Sequence, residues 1–485
     1  MVQRSLLLPE TAVGPRCTLY GAILDRGATA RKGTVLNEGT VLGKNALAEE
    51  GSILLEDVKL WPGQRAPAGI RLTRTISSGS QKGALRFGDG GAIRGMLGED
   101  MGPEALLALG SVLGAEGRVG LGCSRTPEAR MLARAAAAGI AAAGGRAAFH
   151  SMESPVQGAW VAKKESLPIS LFVEREEGGA VFLHLFDRQG LHLDREGEGK
   201  TEQALLRGEV HRVRGDRVQE LERLELSALL WAETVARQGA LGRPAMRRLS
   251  VAVGRATPTD RAIRSALMAL GCQVEDRWRP GVPAFSGGHG GFRLTAQDEK
   301  GALLDSGQLL TLVTLIEMEN GGGAVAVPPG ASAAVDLVAA GYNGTVLRLD
   351  RDSGPARKLY ASLPWLWSAP SAAVRICARM GASGQRLEEL ISKTPRFNSW
   401  KREVPLSADR GRVMQELAKG QGRDVTDGGL RVRTGSGWVY LVPTSRRASL
   451  RVMAEGPDLE LAAELCDFYA DKAAALDKEL SGRGG

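Results

Sequence analysis

Ile23-Leu-Asp-Arg-Gly-Ala28, Thr29-Ala-Arg-Lys-Gly-Thr34, Val35-Leu-Asn-Glu-Gly-Thr40, Val41-Leu-Gly-Lys-Asn-Ala46, Leu47-Ala-Glu-Glu-Gly-Ser52, Ile53-Leu-Leu-Glu-Asp-Val58: written in this register, the chain repeats every six residues from about Leu19 to Gly63. Ile23, Val35, Val41, Leu47 and Ile53 share one position, with Thr29 the polar exception. Gly27, Gly33, Gly39 and Gly51 share another, with Asn45 standing in one slot of that series. A hexad with one inward apolar residue and one turn glycine fits a coil of short parallel strands, each turn burying its rung on the next. The expectation is a left-handed parallel β-helix over 10–75, with Ile23, Val35, Val41, Leu47 and Ile53 as the inward rungs. A glycine- and serine-rich linker over 76–85 follows it.

Working outward, a longer repeat appears. Arg118 to Phe149 reads strand, glycine-bearing turn, alanine-rich helix, glycine, strand. Leu249 to Asp276 repeats it, with a helix from Pro258 to Leu270 closed by Gly271. Gly323 to Asp350 repeats it again, with a helix to Ala340 closed by Gly341. Three strand–helix–strand units imply three tandem α/β domains with parallel sheets, placed at 86–240, 241–320 and 321–400. From 401 to 485 the pattern changes to a hairpin around Gly435 and Gly437, a strand at Leu450–Ala454 and an amphipathic helix from Leu459 to Leu480. That is a smaller α+β domain.

Composition excludes several function classes. The chain is 485 residues, 43% hydrophobic and 24% charged, which is globular and multidomain. Its five cysteines are scattered with no CxxC pair, as reduced intracellular thiols would be. No signal-peptide pattern opens the sequence, and the apolar stretch Leu309–Ile316 is far below the ~20 residues of a membrane span. The expectation is a cytoplasmic protein with no membrane partner. A net charge of +8 is spread along the chain without Lys/Arg runs between aromatics, so no nucleic-acid partner is expected.

Three tandem α/β domains followed by a small α+β domain resemble the α-D-phosphohexomutases, the phosphoglucomutase/phosphomannomutase family. Phe87-Gly-Asp-Gly-Gly-Ala-Ile-Arg-Gly95 is similar to the family's opening FGTDGIRG. Asp298-Glu-Lys-Gly-Ala-Leu-Leu-Asp-Ser-Gly-Gln-Leu-Leu310 resembles the stretch after its metal loop, and Trp438–Ser445 with Leu450–Glu455 resembles its C-terminal phosphate loop. The resemblance covers roughly Arg86 to Leu480. It implies phosphoryl transfer between a phosphoserine and a hexose phosphate. Three aspartates would hold Mg²⁺, a glutamate-bearing loop would grip the sugar, and the last domain would bind the non-reacting phosphate.

Those parts look lost. Counting back from Phe182–Asp187 puts Glu174 at the family serine. Its readings are a charged surface turn, a permanent stand-in for the phosphoserine charge, or a carboxylate nucleophile; a gap would bring Ser166 or Ser170 there instead. The metal aspartates become Gly288, Gly290 and Phe292, leaving the lone His289 as a poor metal ligand, so no cofactor is expected. The sugar loop is replaced by 352–367, which has no glutamate and carries Trp365 and Trp367, for packing or for stacking on a sugar. Candidate phosphate-binding residues are Arg94, Arg293, Thr444, Ser445, Arg446, Arg447 and Arg451, as an anion site or a solvated basic turn.

The sequence therefore points to an inactive phosphohexomutase homologue. It would act as a sugar-phosphate binder or as a structural or regulatory partner in nucleotide-sugar or polysaccharide metabolism. One alternative is an active intramolecular phosphotransferase with a rebuilt site. Another is a scaffold for a separate sugar nucleotidyltransferase, homo-oligomeric through the β-helix. Acyl transfer is disfavoured, because the first histidine, His150, lies beyond the hexads.

Overall fold

The computed structural model describes residues 1–72, 85–88, 90–176, 178–209, 211–240, 249–349, 354–407, 410–419, 423–426, 429–435, 437–444 and 449–482. The expected linker over 76–85 lies outside them except for Leu85.

In the first 72 residues, two- and three-residue strands are dealt in rotation to three parallel sheets. Val35 pairs with Ile53 and Ile53 with Arg71, each partner lying three hexads further on. The chain is thus a coil with three faces, one hexad per face, as in a parallel β-helix. Its corners explain the glycine slot. Gly27, Gly33 and Gly39 have φ of 70°, 72° and 75°, and Asn45 and Asp57 fill the same corner at 55° and 61°. Asparagine and aspartate are the side chains that tolerate this left-handed region best.

The inward residue is not the expected one. Val35, Val41, Leu47 and Ile53 are half-buried and Ile23 is exposed. The second position instead fills the interior, with Leu24, Ala30, Leu36, Leu42, Ala48 and Leu54 fully buried. The sixth position joins it through Ala22, Ala28 and Ala46. Where that position is polar, the hydroxyls of Thr34, Thr40 and Ser52 donate to the carbonyls of Arg31, Asn37 and Glu49, so none of these hydroxyls is buried unsatisfied. Strand residues alternate faces, so a two-residue apolar pair turns one side in and the other out.

The first α/β unit is a six-stranded mixed sheet in the order 92–96, 180–187, 169–175, 118–123, 146–149, 222–223. Helices α1 (Pro103–Gly114) and α2 (Pro127–Ala142) pack on one face. They meet at glycines: a Cβ on Gly110 would sit 2.1 Å from the Ala136 carbonyl oxygen, and one on Gly139 would sit 2.1 Å from that of Leu107. Helix α3 (Pro155–Lys164) is next, and α4 (Arg195–Leu206) follows the last long strand. Helix α5 (Ala228–Gly239) closes this stretch but packs on α6 (Pro258–Leu270) of the second unit.

The second unit orders its strands 273–275, 250–253, 284–288, 293–297, 303–304, the first three parallel. Gly271 closes α6 at φ 100°, as its sequence position implied. After α7 (Ser306–Glu319), the third unit holds a single parallel pair among the described residues, Ala324–Val327 with Thr345–Arg348, crossed over by α8 (Ala333–Gly341). Gly341 stays helical there, and the left-handed corner is taken by Asn343. Helices α9 (Gly354–Ser362), α10 (Ala369–Ser383) and α11 (Leu387–Ser392) follow. One apolar core runs from Ala148, Met152, Val161 and Leu167 of the first unit through α5 and the second and third units, joining Trp231, Ile263, Leu312, Val325 and Ile376.

The last unit is a five-stranded antiparallel sheet in the order 398–405, 449–456, 438–443, 429–433, 423–426. It is covered by α12 (Arg410–Ala418) and α13 (Leu459–Gly482). The hairpin, the strand and the long helix stand where the sequence placed them. The strand Asn398–Pro405 was not foreseen; its side chains alternate poorly and are nearly all exposed. The unit docks on α8, because the Glu455 carboxylate accepts from the Ser332 hydroxyl and the Ala333 N–H, and Asp336 pairs with Arg348 and Arg431. Among the described residues no helix is long and apolar enough to cross a membrane.

Candidate functional site

The strand Ile169–Arg175 carries Glu174, and its antiparallel neighbour Ala180–Asp187 places Phe182 opposite it. Arg94, on the next strand, lies opposite Phe182 in turn, with its guanidinium carbon 5.7 Å from that ring. Phe182, His184 and Phe186 share one face by the two-residue period of the strand, their ring centroids 6.1 to 6.3 Å apart.

Glu174 is not a surface turn. Its Oε2 lies 3.0 Å from His184 Nε2, and both side chains are largely buried. His184 Nδ1 lies 3.1 Å from His192 Nε2. A carboxylate only accepts, so His184 donates from Nε2 and its Nδ1 accepts from the His192 Nε2–H. The result is a carboxylate–imidazole–imidazole chain in its neutral-ring form. Burial first, and then the electrostatic influence of His184 and Arg357, hold the His192 pKa well below that of a free histidine.

The loop expected to carry metal ligands comes to the same place. Phe292 packs its ring 4.6 Å from His192, 6.0 Å from His184 and 6.3 Å from Trp367. Gly290, at φ 67°, lies against Pro155 and His184, where a Cβ would come within 2.8 and 3.2 Å respectively. Gly288, Gly290 and Phe292 offer no carboxylate, and Mg²⁺ takes oxygen ligands. Among the described residues no group of three or more acidic, histidine or cysteine side chains forms a metal site. The residues present do not fit the family's metal. His289 beside them has its pKa lowered by burial and by Arg293, against the opposing pull of Glu176 and Glu174.

The segment standing for the sugar loop closes the constellation. Helix α9 brings Arg357, whose Nη2 donates to Asp187 Oδ2 and to the His192 carbonyl oxygen, each at 2.5 Å. Lys163 of α3 donates to the Ala361 carbonyl oxygen at 2.6 Å, pinning the end of the same helix. Val156, Phe172, Phe186, Ala361 and Trp367 form a buried apolar cluster with Phe292 and Tyr360 against it. Burial there raises the Tyr360 phenol pKa.

The three places that the resemblance assigns to the serine, the metal loop and the sugar loop therefore converge. What they build together is an aromatic core with a carboxylate–histidine chain along one edge. Ser170 lies on the same strand as Glu174, about 13 Å away by the strand rise, fully buried and with no hydrogen bond to its hydroxyl. Ser166 is exposed beyond the end of α3. Arg293 is exposed at the rim.

Of the phosphate-loop candidates, Thr444 is buried and its hydroxyl lies 2.7 Å from that of Ser449, and Arg451 lies half-buried on the adjoining strand. Ser445, Arg446 and Arg447 lie outside the described residues. His184, His192, Asp187 and Arg357 were not singled out in the sequence. Only His184 carried a signal there: it sits between Phe182 and Phe186 on one strand face.

No sequence-family profile matches the chain, and no curated protein sequence does. Solved structures do match. A phosphoglucomutase/phosphomannomutase family protein from Burkholderia thailandensis superposes with a TM-score of 0.64 at 16% identity, covering 82% of this chain and 98% of its own. A putative phosphomannomutase from Thermus thermophilus gives 0.57 at 14% identity, covering 79% and 97%. The chain has the phosphohexomutase fold.

Proposed function

We propose that this chain is a phosphohexomutase-fold protein that has given up phosphoryl transfer and serves as a binding or regulatory partner in sugar-phosphate metabolism. One observation carries the reading: the positions standing for serine, metal and sugar loops are joined by side chains that touch one another. Phe292 bridges His192 and Trp367. Arg357 ties α9 to Asp187. Phosphoryl transfer needs a relay nucleophile and cations on the transferring group. Here the carboxylate at the relay position is engaged by His184, and Arg357, which reaches the same cluster, is engaged by Asp187. Binding of a hexose phosphate would then fall to the rim arginines Arg94 and Arg293 and to the loop 444–447 of the last domain, without Mg²⁺.

Calorimetric titration with glucose 1,6-bisphosphate and mannose 1,6-bisphosphate, with and without Mg²⁺, tests this. Metal-independent binding lost in Arg446→Ala or Arg447→Ala supports it. Binding that requires Mg²⁺, or turnover of glucose 1-phosphate in a coupled assay, overturns it in favour of an active enzyme with a rebuilt site.

A second reading, in which the hexad coil is a cytoplasmic assembly surface for copies of itself or for a sugar nucleotidyltransferase, rests on the exposed apolar residues of its first turn. Leu7 and Val13 pair with Leu24 and Ala30 of the next turn. They are 42% and 36% exposed where those partners are fully buried, so apolar side chains of this turn face solvent. The left hand of the coil belongs to this reading. A monomer in sedimentation equilibrium with no partner in pull-downs would sink it.

A further inference from the structure

Next to Trp367, the first unit meets α5 and the start of α10 around a half-open cavity of about 330 Å³. A second cavity of about 180 Å³ shares Lys163, Gln238 and Pro364 with it. The volume falls within the range of small-ligand sites, about 300–1,000 Å³. Its walls are unusual for this chain: Trp160, Trp231 and Trp367 line the larger space and Trp365 the smaller, four of only eight tryptophans. Close-packed interiors leave few voids larger than a water molecule, so indoles arranged around open space are unlike ordinary packing. The Trp365 indole N–H, beside the smaller cavity, is buried with no hydrogen-bond partner among the described residues, a donor left for a guest.

Charge selects the guest further. Lys163 and Lys164 line the larger cavity, and among the described residues no carboxylate lines either one. Lys163 uses one N–H on the Ala361 carbonyl and keeps two; Lys164 has no described partner. Burial lowers the Lys163 pKa, a cost that a bound anion would relieve.

We propose that this cavity binds a small planar aromatic anion, its ring among the indoles and its carboxylate or phosphate on Lys163 and Lys164. The site shares Val156, Lys163 and Trp367 with the edge of the mutase-like constellation. It takes its guest on the indoles and lysines and not on Glu174 or His184, so it does not depend on whether that constellation is active. Seryl and threonyl hydroxyls at Ser368, Ser371 and Thr234 leave room for one further polar substituent on the ring.

The tryptophans supply their own readout. The full chain is titrated with 4-nitrobenzoate, a planar anion that quenches indole fluorescence, and in parallel with neutral 4-nitrobenzamide and with glucose 1-phosphate. Saturable quenching by the carboxylate is expected. The amide should bind at least about tenfold more weakly, the ratio set by a charge-assisted contact. Lys163→Gln/Lys164→Gln should lose the same factor. Thr234→Phe, which fills the mouth from a half-exposed helix position and keeps both lysines, should abolish saturation with the thermal midpoint unchanged. Quenching that is linear rather than saturable, equal affinity for acid and amide, indifference to Thr234→Phe, or saturation by glucose 1-phosphate alone would each overturn the proposal.

Discussion

Glu174 shows what one position contributes when its partners are known. From sequence it is an acidic residue in Glu-Arg-Glu-Glu, and the reading as a solvated turn follows from that composition alone. In the fold its carboxylate anchors His184, a 4% exposed imidazole donor that has no other acceptor for its Nε2. Glu174→Ala strands that donor and should cost about 1–3 kcal/mol, whereas Glu174→Gln keeps an acceptor oxygen and should cost less than half as much. Urea unfolding of the two variants checks this, and equal losses would show that the bond is not what stabilises the pair. His150 makes a complementary case. It is fully buried, neither ring nitrogen has a hydrogen-bond partner, and burial lowers its pKa to about 4. The unfolded chain then binds a proton that the folded one refuses, so stability is full above the unfolded value near 6.5 and falls as pH drops toward about 4. The loss should reach about 3 kcal/mol. His150→Leu should flatten that part of the profile in urea titrations from pH 7 to 4, leaving the contribution of His192, depressed in the same direction. An unchanged slope would contradict the burial argument. Neither residue's role was legible in the sequence, because each depends on which strands lie side by side. What was legible is that Gly288, Gly290 and Phe292 carry no side-chain oxygen for Mg²⁺, because that holds wherever they are placed.

Among the elements, α9 changes the reading of the molecule most. Its sequence, Gly354–Ser362, announces only a weakly amphipathic helix where a glutamate-bearing loop was expected. Docked, it spans from Lys163 to Asp187 and holds the third unit against the first. Arg357→Ala should undock it, at a cost of about 2 kcal/mol, the lower end for a charged hydrogen-bonding group. The cost is limited because Asp187 keeps the N–H groups of Gln189 and Leu191 as donors. Hydrogen exchange of residues 354–362 reads this directly; protection equal to wild type would mean that packing of Trp367 and Tyr360 alone holds the helix. Regular elements were plain in the sequence because glycines and periodicity are local signals: the Gly271 stop of α6 and the hairpin at Gly435 stand as read. The hexad was legible too, but not its facing. Both residues of Val35-Leu36 are apolar, and only the closed coil decides that Leu36 is inside. The reduced third unit was invisible because a two-strand remnant and a full sheet begin with the same strand–helix–strand pattern.

At the scale of the whole molecule, the cores define what should unfold together. The second and third units and α5 share one continuous core with Ala148, Met152, Val161 and Leu167 of the first unit, and the last unit is fastened to α8 by Glu455 and by the Asp336–Arg431 pair. The first unit is tied in through Arg357 and through the aromatic cluster around Phe292. The coil has a core of its own, from Cys17 to Leu72, in which no residue of the α/β body takes part. A stack of repeats in which each turn touches only its neighbours gains its stability turn by turn, and it need not share a transition with a globular body. Calorimetry of the full chain should therefore show at least two transitions. Leu36→Ala, which empties a fully buried rung, should cost the coil about 2–5 kcal/mol and lower only its transition. Val35→Ala, one residue away on the outward face, should move it by less than about 1 kcal/mol. A single transition displaced as a whole by Leu36→Ala would mean that the coil and the body are energetically one unit, with the chain between them carrying the coupling. Equal effects of the two variants would mean that the inward register is wrong, and with it the reason why the hexad tolerates threonine and serine at its sixth position.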